Sequence, residues 1–134
     1  NKKISNLPVK KKKIIKKERF LNFIVLASDK FIYIEKRIKN DIWKNLYQFP
    51  LFEDSNLNFT PPEELIKKSV LLKKTEIKHI LTHQKLNVVF WHYNLNKLEK
   101  NKKYKIIEIN KIEEYPVPKI IENYIAENLR IHLI

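Results

Sequence analysis

The sequence predicts an α+β domain of layered type, a mixed β-sheet sandwiched by at least two helices, and three observations carry that prediction. Residues 18–27 (ERFLNFIVLA) and 86–93 (LNVVFWHY) are apolar or aromatic on nearly every position, as in strands buried on both faces. Residues 76–81 alternate, with Ile77, His79 and Leu81 opposite Glu76, Lys78 and Ile80, and pair by pattern with 86–93 as a hairpin. Residues 118–126 (PKIIENYIA) place Ile120, Ile121, Tyr124 and Ile125 on one helical face behind Pro118. Sheet and helix patterns in one short chain require layers to bury both.

The first element, the strand 18–27, ends in the turn Ser28, Asp29, Lys30 and is followed by the strand 31–37, with Phe31, Tyr33 and Glu35 opposing Ile32, Ile34 and Lys36. Residues 38–52 hold Asn and Asp breakers, no helical stripe, and Trp43, Tyr47 and Phe49 ahead of Pro50, which reads as a loop running into a short strand. Thr60, Pro61, Pro62 and Glu63 form a T-x-x-E capping box with proline at the first helical position, and Leu65, Ile66, Val70 and Leu71 follow, predicting a helix of about three turns. After the 76–93 hairpin come a polar connection over 94–103 and a strand over 104–109. Pro116 and Pro118 close it and start the final helix.

A chain of 134 residues with 43% hydrophobic residues can bury one sizeable core, so residues 18–134 read as one domain. Residues 1–17 carry Lys10, Lys11, Lys12 and Lys13 among other lysines, with Pro8 and no sustained period, and read as a basic linker or connector. The basic start and the absence of Met suggest a fragment of a longer protein. The longest apolar run, 21–27, is interrupted by Asn22 and too short to span a bilayer, so the expected setting is soluble and cytoplasmic.

With Cys 0, thiolate zinc and iron–sulfur ligation are excluded from this chain, and His79, His83, His92 and His132 show no paired ligand spacing, so no metal or other cofactor is expected in it. The formal net charge of +13 favours a polyanionic partner, although a Lys- and Ile-rich AT-biased coding sequence gives the same excess. Only Arg19, Arg37 and Arg130 among the cations are Arg. With Gly 0, a glycine phosphate loop is absent and turns at positive φ fall to Asn or Asp. Glu63 and Glu64 read as first-turn helix carboxylates rather than a catalytic pair, Glu113 and Glu114 as solvated, and His92 as a satisfied core residue. The hairpin tip, Thr82, His83, Gln84 and Lys85, lacks every usual turn former, which predicts a longer or irregular tip. Its hydroxyl, imidazole, amide and ammonium suit base edges and phosphates, but also an ordinary exposed turn.

The segments LPVKKKK (7–13), EKRIKNDIWKNLYQFPLFE (35–53), KHILTHQKL (78–86) and YPVPKIIENYI (115–125) stand in the order found in the C-terminal domain of the MutY family, the adenine DNA glycosylases acting on adenine opposite 8-oxoguanine. The resemblance covers nearly the whole chain. It implies a MutT-like Nudix fold and a base-excision-repair role. This domain would recognise 8-oxoguanine in double-stranded DNA, while a covalently attached N-terminal helical domain carrying a 4Fe-4S cluster excises the adenine. The family's Phe-Ser-His tip falls on Leu81, Thr82 and His83, making these the expected lesion contacts, with Gln84, Lys85 and Lys10–Lys13 expected on the DNA backbone. A bacterial, nucleoid-associated location is implied. Relatives carry Gly near Asp41 and Asn45, and Trp and Glu where this chain has Tyr47 and Gln48. A Nudix hydrolase box, Gly-x5-Glu-x7-Arg-Glu-x-x-Glu-Glu-x-x-Gly, is not made over 45–72, so pyrophosphate hydrolysis is not expected. A standalone hydrolase of oxidised nucleotides and a generic nucleic-acid-binding domain are the alternatives.

Overall fold

The computed structural model describes residues 16–129. At its centre two strands, β1 (Lys17–Ala27) and β6 (Gln84–Asn94), run parallel in register from Lys17↔Gln84 to Ala27↔Asn94. Neither strand has a solvent face: Leu21, Phe23, Val25, Leu86, Val88 and Phe90 point to one side, Ile24, Leu26, Trp91 and Tyr93 to the other. Their near-continuous apolar runs follow from this double burial.

The flanking strands are short or exposed. β2 (Phe31–Lys36) joins β1 at Ala27↔Ile32 and continues against β7 (Lys105–Glu108), while β4 (Leu51–Glu53) takes the same edge of β1 lower down, at Leu21↔Glu53 to Phe23↔Leu51. β3 (Tyr47–Gln48) extends β2, and β5 (Val70–Ile80) pairs antiparallel with β6 as the free edge. The Ser28 turn closes as expected, with the Ser28 amide donating to the Phe31 carbonyl at 2.9 Å.

Helix α2 (Lys119–Asn128) packs on the first face through Ile120, Ile121, Tyr124 and Ile125, the residues its spacing predicts. Phe90 stacks between Phe23 and Tyr124, with centroids 5.5 and 4.3 Å away, and Phe49 meets Phe23, Phe90 and Tyr124 edge-on. Each fully buried ring of this stack contributes roughly 1.5–3 kcal/mol by burial. On the second face Leu65 and Ile66 of α1 (Glu63–Ile66) pack beside the cluster of Ile24, Leu26, Tyr33, Trp91, Tyr93, Leu98 and Tyr104. A 3-10 helix, Ile109–Glu114, which has no sequence counterpart above, links β7 to the final helix.

Three expectations are corrected. The helix after Thr60 is a single turn with Pro62 at its N-cap and no side-chain cap, so the capping box does not form. Each residue ahead of a proline is held extended, which keeps Thr60 and Pro61 out of the helix, and Val70 and Leu71 belong to β5. There a bulge between Leu71 and Lys73 leaves Val70, Leu71 and Leu72 exposed, so apolar spacing without burial imitated a helix. The hairpin tip is tight rather than long, the Leu81 amide donating to the Gln84 carbonyl at 2.8 Å across Thr82 and His83. Positive φ falls on Trp43 (60°), Asn45 (70°) and Lys68 (68°), so a Gly-free chain uses more than Asn and Asp for it.

Candidate nucleic-acid interface

The tip stands at one end of the sheet, where β5 turns into β6. Thr82 and His83 are exposed, and neither takes a positive φ, so the turn closes without the residues that left-handed turns demand. The Lys17 amide of β1 donates to the His83 carbonyl at 3.1 Å, which ties the tip's backbone to the neighbouring parallel strand. The other predicted residues separate. Leu81 is half-buried against the main core, Gln84 and Lys85 are strand rather than tip, and Lys85 faces Glu18 at 3.9 Å on the opposite sheet face. Lys10, Lys11, Lys12 and Lys13 lie outside the described residues.

Gln84 turns inward to a cluster that sequence reasoning missed. Arg19 of β1, 4% exposed at its side chain, donates a two-pronged bond to Glu53 of β4, Nε and Nη2 both at 2.7 Å. The same guanidinium reaches Asp41 Oδ2 at 3.1 Å and Gln84 Oε1 at 3.1 Å. Asp41 is shared with Arg37, whose Nη2 stands 2.7 Å from Oδ2 while its Nε donates to the Ile42 carbonyl at 2.9 Å. One buried arginine therefore joins β1, β4, the 38–46 loop and the base of the tip. The planar fork with its several donors is what permits this, and a lysine could not make the same set of bonds.

The charges reinforce one another. The hydrogen bonds and charge of Arg19 hold the Glu53 carboxyl below its usual range despite partial burial. Burial alone would raise Asp41, but Arg37 and Arg19 outweigh it and hold Asp41 low as well. The bond to Glu53 raises Arg19 further, against the opposing effect of burial. The aromatic loop is folded onto this cluster: the Asn45 amide donates to the Arg37 carbonyl at 2.6 Å, and Asn45 adopts φ 70°. A sequence signal did exist, since an Arg stands at the start of an apolar strand in a chain that otherwise prefers Lys.

His92 keeps the role read for it as a satisfied core residue, whereas Glu63 does not take the capping role. His92 is buried with Nδ1 3.0 Å from the Tyr124 hydroxyl, and burial, with Lys73, lowers its pKa. Glu63 and Glu64 are exposed on the one-turn helix α1, and Glu113 and Glu114 are exposed in the 3-10 helix.

Residues 22–127 match the family model described as NUDIX domain. The chain belongs to the NUDIX family. Among curated proteins it is similar to an adenine DNA glycosylase of Buchnera aphidicola subsp. Schizaphis graminum, 35% identical over 85 residues, covering 63% of this chain and 21% of that protein. The chain thus spans about a fifth of the length of that relative. Among solved structures it resembles the C-terminal domain of mouse MUTYH, crystallised with human PCNA, at TM-score 0.58 and 10% identity, covering 82% of this chain and 86% of that one. It also resembles the Nudix hydrolase MutT of methicillin-resistant Staphylococcus aureus, at TM-score 0.55 and 17% identity, covering 85% and 100%. These likenesses show the fold. The divalent ion that Nudix hydrolases use does not fit the residues present: among the described residues no three of His, Asp and Glu come together in a group that could hold a metal.

Proposed function

We propose that this NUDIX domain is the lesion-recognition module of an A/G-specific adenine DNA glycosylase, reading 8-oxoguanine opposite adenine. In this reading an attached N-terminal domain with a 4Fe-4S cluster excises the adenine in a bacterial, nucleoid-associated protein. The observation that carries it is the presentation of Thr82 and His83, exposed on a closed turn that is braced by β1 and, through Gln84, by Arg19. Both side chains can donate and accept, which suits the edge of an oxidised base, and a braced turn spends little ordering entropy on binding. The similarity to a named adenine DNA glycosylase supports the same reading. Excision belongs to residues outside this chain, and hydrolysis of an oxidised nucleotide, the alternative, needs a metal box that Glu63 and Glu64 do not build.

The test joins the chain to its glycosylase domain and compares adenine excision from 8-oxoguanine:adenine and guanine:adenine duplexes. Thr82→Ala and His83→Ala should each reduce the preference for the oxidised partner by about 1 kcal/mol, roughly fivefold. An unchanged preference in both variants removes the tip from recognition.

A further inference from the structure

At the end of the sheet away from the tip, a cavity of about 300 Å³ opens between α1 and the loop that follows β6. Lys67, Lys68, Lys97 and Lys100 line it, all exposed, together with Tyr33 and Asn96. Glu64 and Glu99 also reach it, yet among the described residues none of the four lysines has a carboxylate within ion-pair distance. Of the fifteen other lysines among the described residues, five (Lys39, Lys74, Lys85, Lys111 and Lys119) have a carboxylate partner at 4.0 Å or closer. Lys68 is moreover held at φ 68°, a backbone state that lysine rarely occupies. Unmatched cations gathered at one concavity raise the local potential for an anion with several charges.

The position of the cavity selects the anion. Gln84 and Asn94 bound β6, ten residue steps apart, so at about 3.3 Å per residue the tip and the cavity mouth stand about 33 Å from each other. One turn of B-form DNA is about 34–36 Å. Tyr33, Leu65 and Leu95 of the cavity belong to the second-face cluster with Trp91, and on that same face the β5 register places Lys78 opposite Asn87 and Lys74 opposite Trp91. Lys85, Lys78 and Lys74 thus lie on the face between the hairpin and the cavity, Lys85 paired with Glu18 and Lys74 with Glu76.

We propose that the Lys67/Lys68/Lys97/Lys100 cavity is a second phosphate-binding station, which takes the backbone of a duplex about one turn away from the hairpin tip. This rests on the reading of the chain as a DNA-recognition module and adds a contact which that reading does not contain. A free nucleotide offers the same phosphate chemistry, so the experiment separates the two sources.

The test measures fluorescence anisotropy of the whole chain with a duplex of about 20 base pairs and one of about 8, too short to span a turn, across a salt series. Lys97→Gln/Lys100→Gln is compared with the parent and with Lys111→Gln, a lysine away from the cavity. On the long duplex the double variant should lower the slope of log affinity against log salt by about 2, with no change on the short one. An unchanged slope on the long duplex, equal losses on both lengths, or no binding to the long duplex at low salt overturns the proposal. So does inorganic triphosphate that binds the parent, not the double variant, while duplex affinity is the same in both. Running the long duplex with 8-oxoguanine:adenine and with guanine:adenine keeps the two readings apart: equal parent affinities count against lesion recognition at the tip, and leave the salt slope to judge the cavity.

Discussion

Arg19 and Gln84, 65 positions apart, meet at 3.1 Å, and this bond links the base of the exposed hairpin to a buried ion cluster. The relationship depends on parallel register: Lys17 pairs with Gln84 and Arg19 with Leu86, so both side chains emerge on one face within a turn's reach. Removing Arg19 leaves Glu53 with Lys39 at 3.8 Å and takes from Asp41 one of its two arginines. Because Glu53 is about one-third exposed and screened, Arg19→Ala should cost about 2–3 kcal/mol, below the full penalty for breaking a buried pair. Arg19→Lys should recover only part, lacking the fork. Urea unfolding gives the energy, and hydrogen exchange at the Leu81 amide reports the tip. Protection that stays at the parent level in both variants would mean the strand ladder alone holds the hairpin.

The same cluster sets the acid limb of stability. Asp41 and Glu53 have folded-state pKa values below their ordinary 3.8 and 4.5, so their contribution is complete above that range. It is lost as pH falls through the lower folded values. In Arg19→Gln the Glu53 carboxyl loses its principal partner, and the stability curve should flatten below pH ~4.5. Parallel curves for parent and variant would place the acid sensitivity elsewhere.

How much of this could be read in the sequence depends on where each constraint resides. The strands β1 and β6 and helix α2 were legible because burial on both faces, or on one stripe, writes itself as hydrophobic period. The stretch at Leu65–Leu71 was misread because Val70 and Leu71 are apolar yet exposed on a bulged edge, so the period there records no burial. The resemblance supplied the tip as an expectation, but Arg19 stayed hidden, since its partners Asp41, Glu53 and Gln84 become neighbours only through sheet topology. What hinted at it was residue choice: two of the three arginines, Arg19 and Arg37, sit buried where a fork is needed.

Inside the main core, His92 and Tyr124 share a bond of 3.0 Å. Tyr124→Phe keeps the stacked ring on Phe90 and deletes the hydroxyl, leaving a buried imidazole nitrogen unpaired. That should cost about 1–2 kcal/mol at neutral pH. Burial also lowers the His92 pKa from 6.5, so its neutral form favours folding fully above that value, and stability declines as pH falls below it. At the alkaline end burial pushes Tyr124 up to about 12, and its contribution is lost as pH rises through that value. His92→Gln should remove the decline just below pH 6.5 while leaving the alkaline limb; thermal unfolding across pH measures both, and a persisting decline would point to another titrating group.

Lys68 offers a test of what the absence of glycine costs this chain. It follows the C-cap of the one-turn helix α1 at φ 68°, the place where glycine commonly ends helices without a Cβ penalty. Lys68→Gly should relieve about 1 kcal/mol of backbone strain, partly offset by the greater entropy of glycine in the unfolded chain. The net expectation is a gain of about 0.5 kcal/mol, visible as a higher urea midpoint at unchanged slope. The companion Lys68→Ala keeps the Cβ while removing the ammonium, and should gain nothing. If alanine stabilised as much as glycine, relief of lysine–lysine repulsion around the cavity, rather than backbone geometry, would be the cause, and both variants would then lose that gain at high salt.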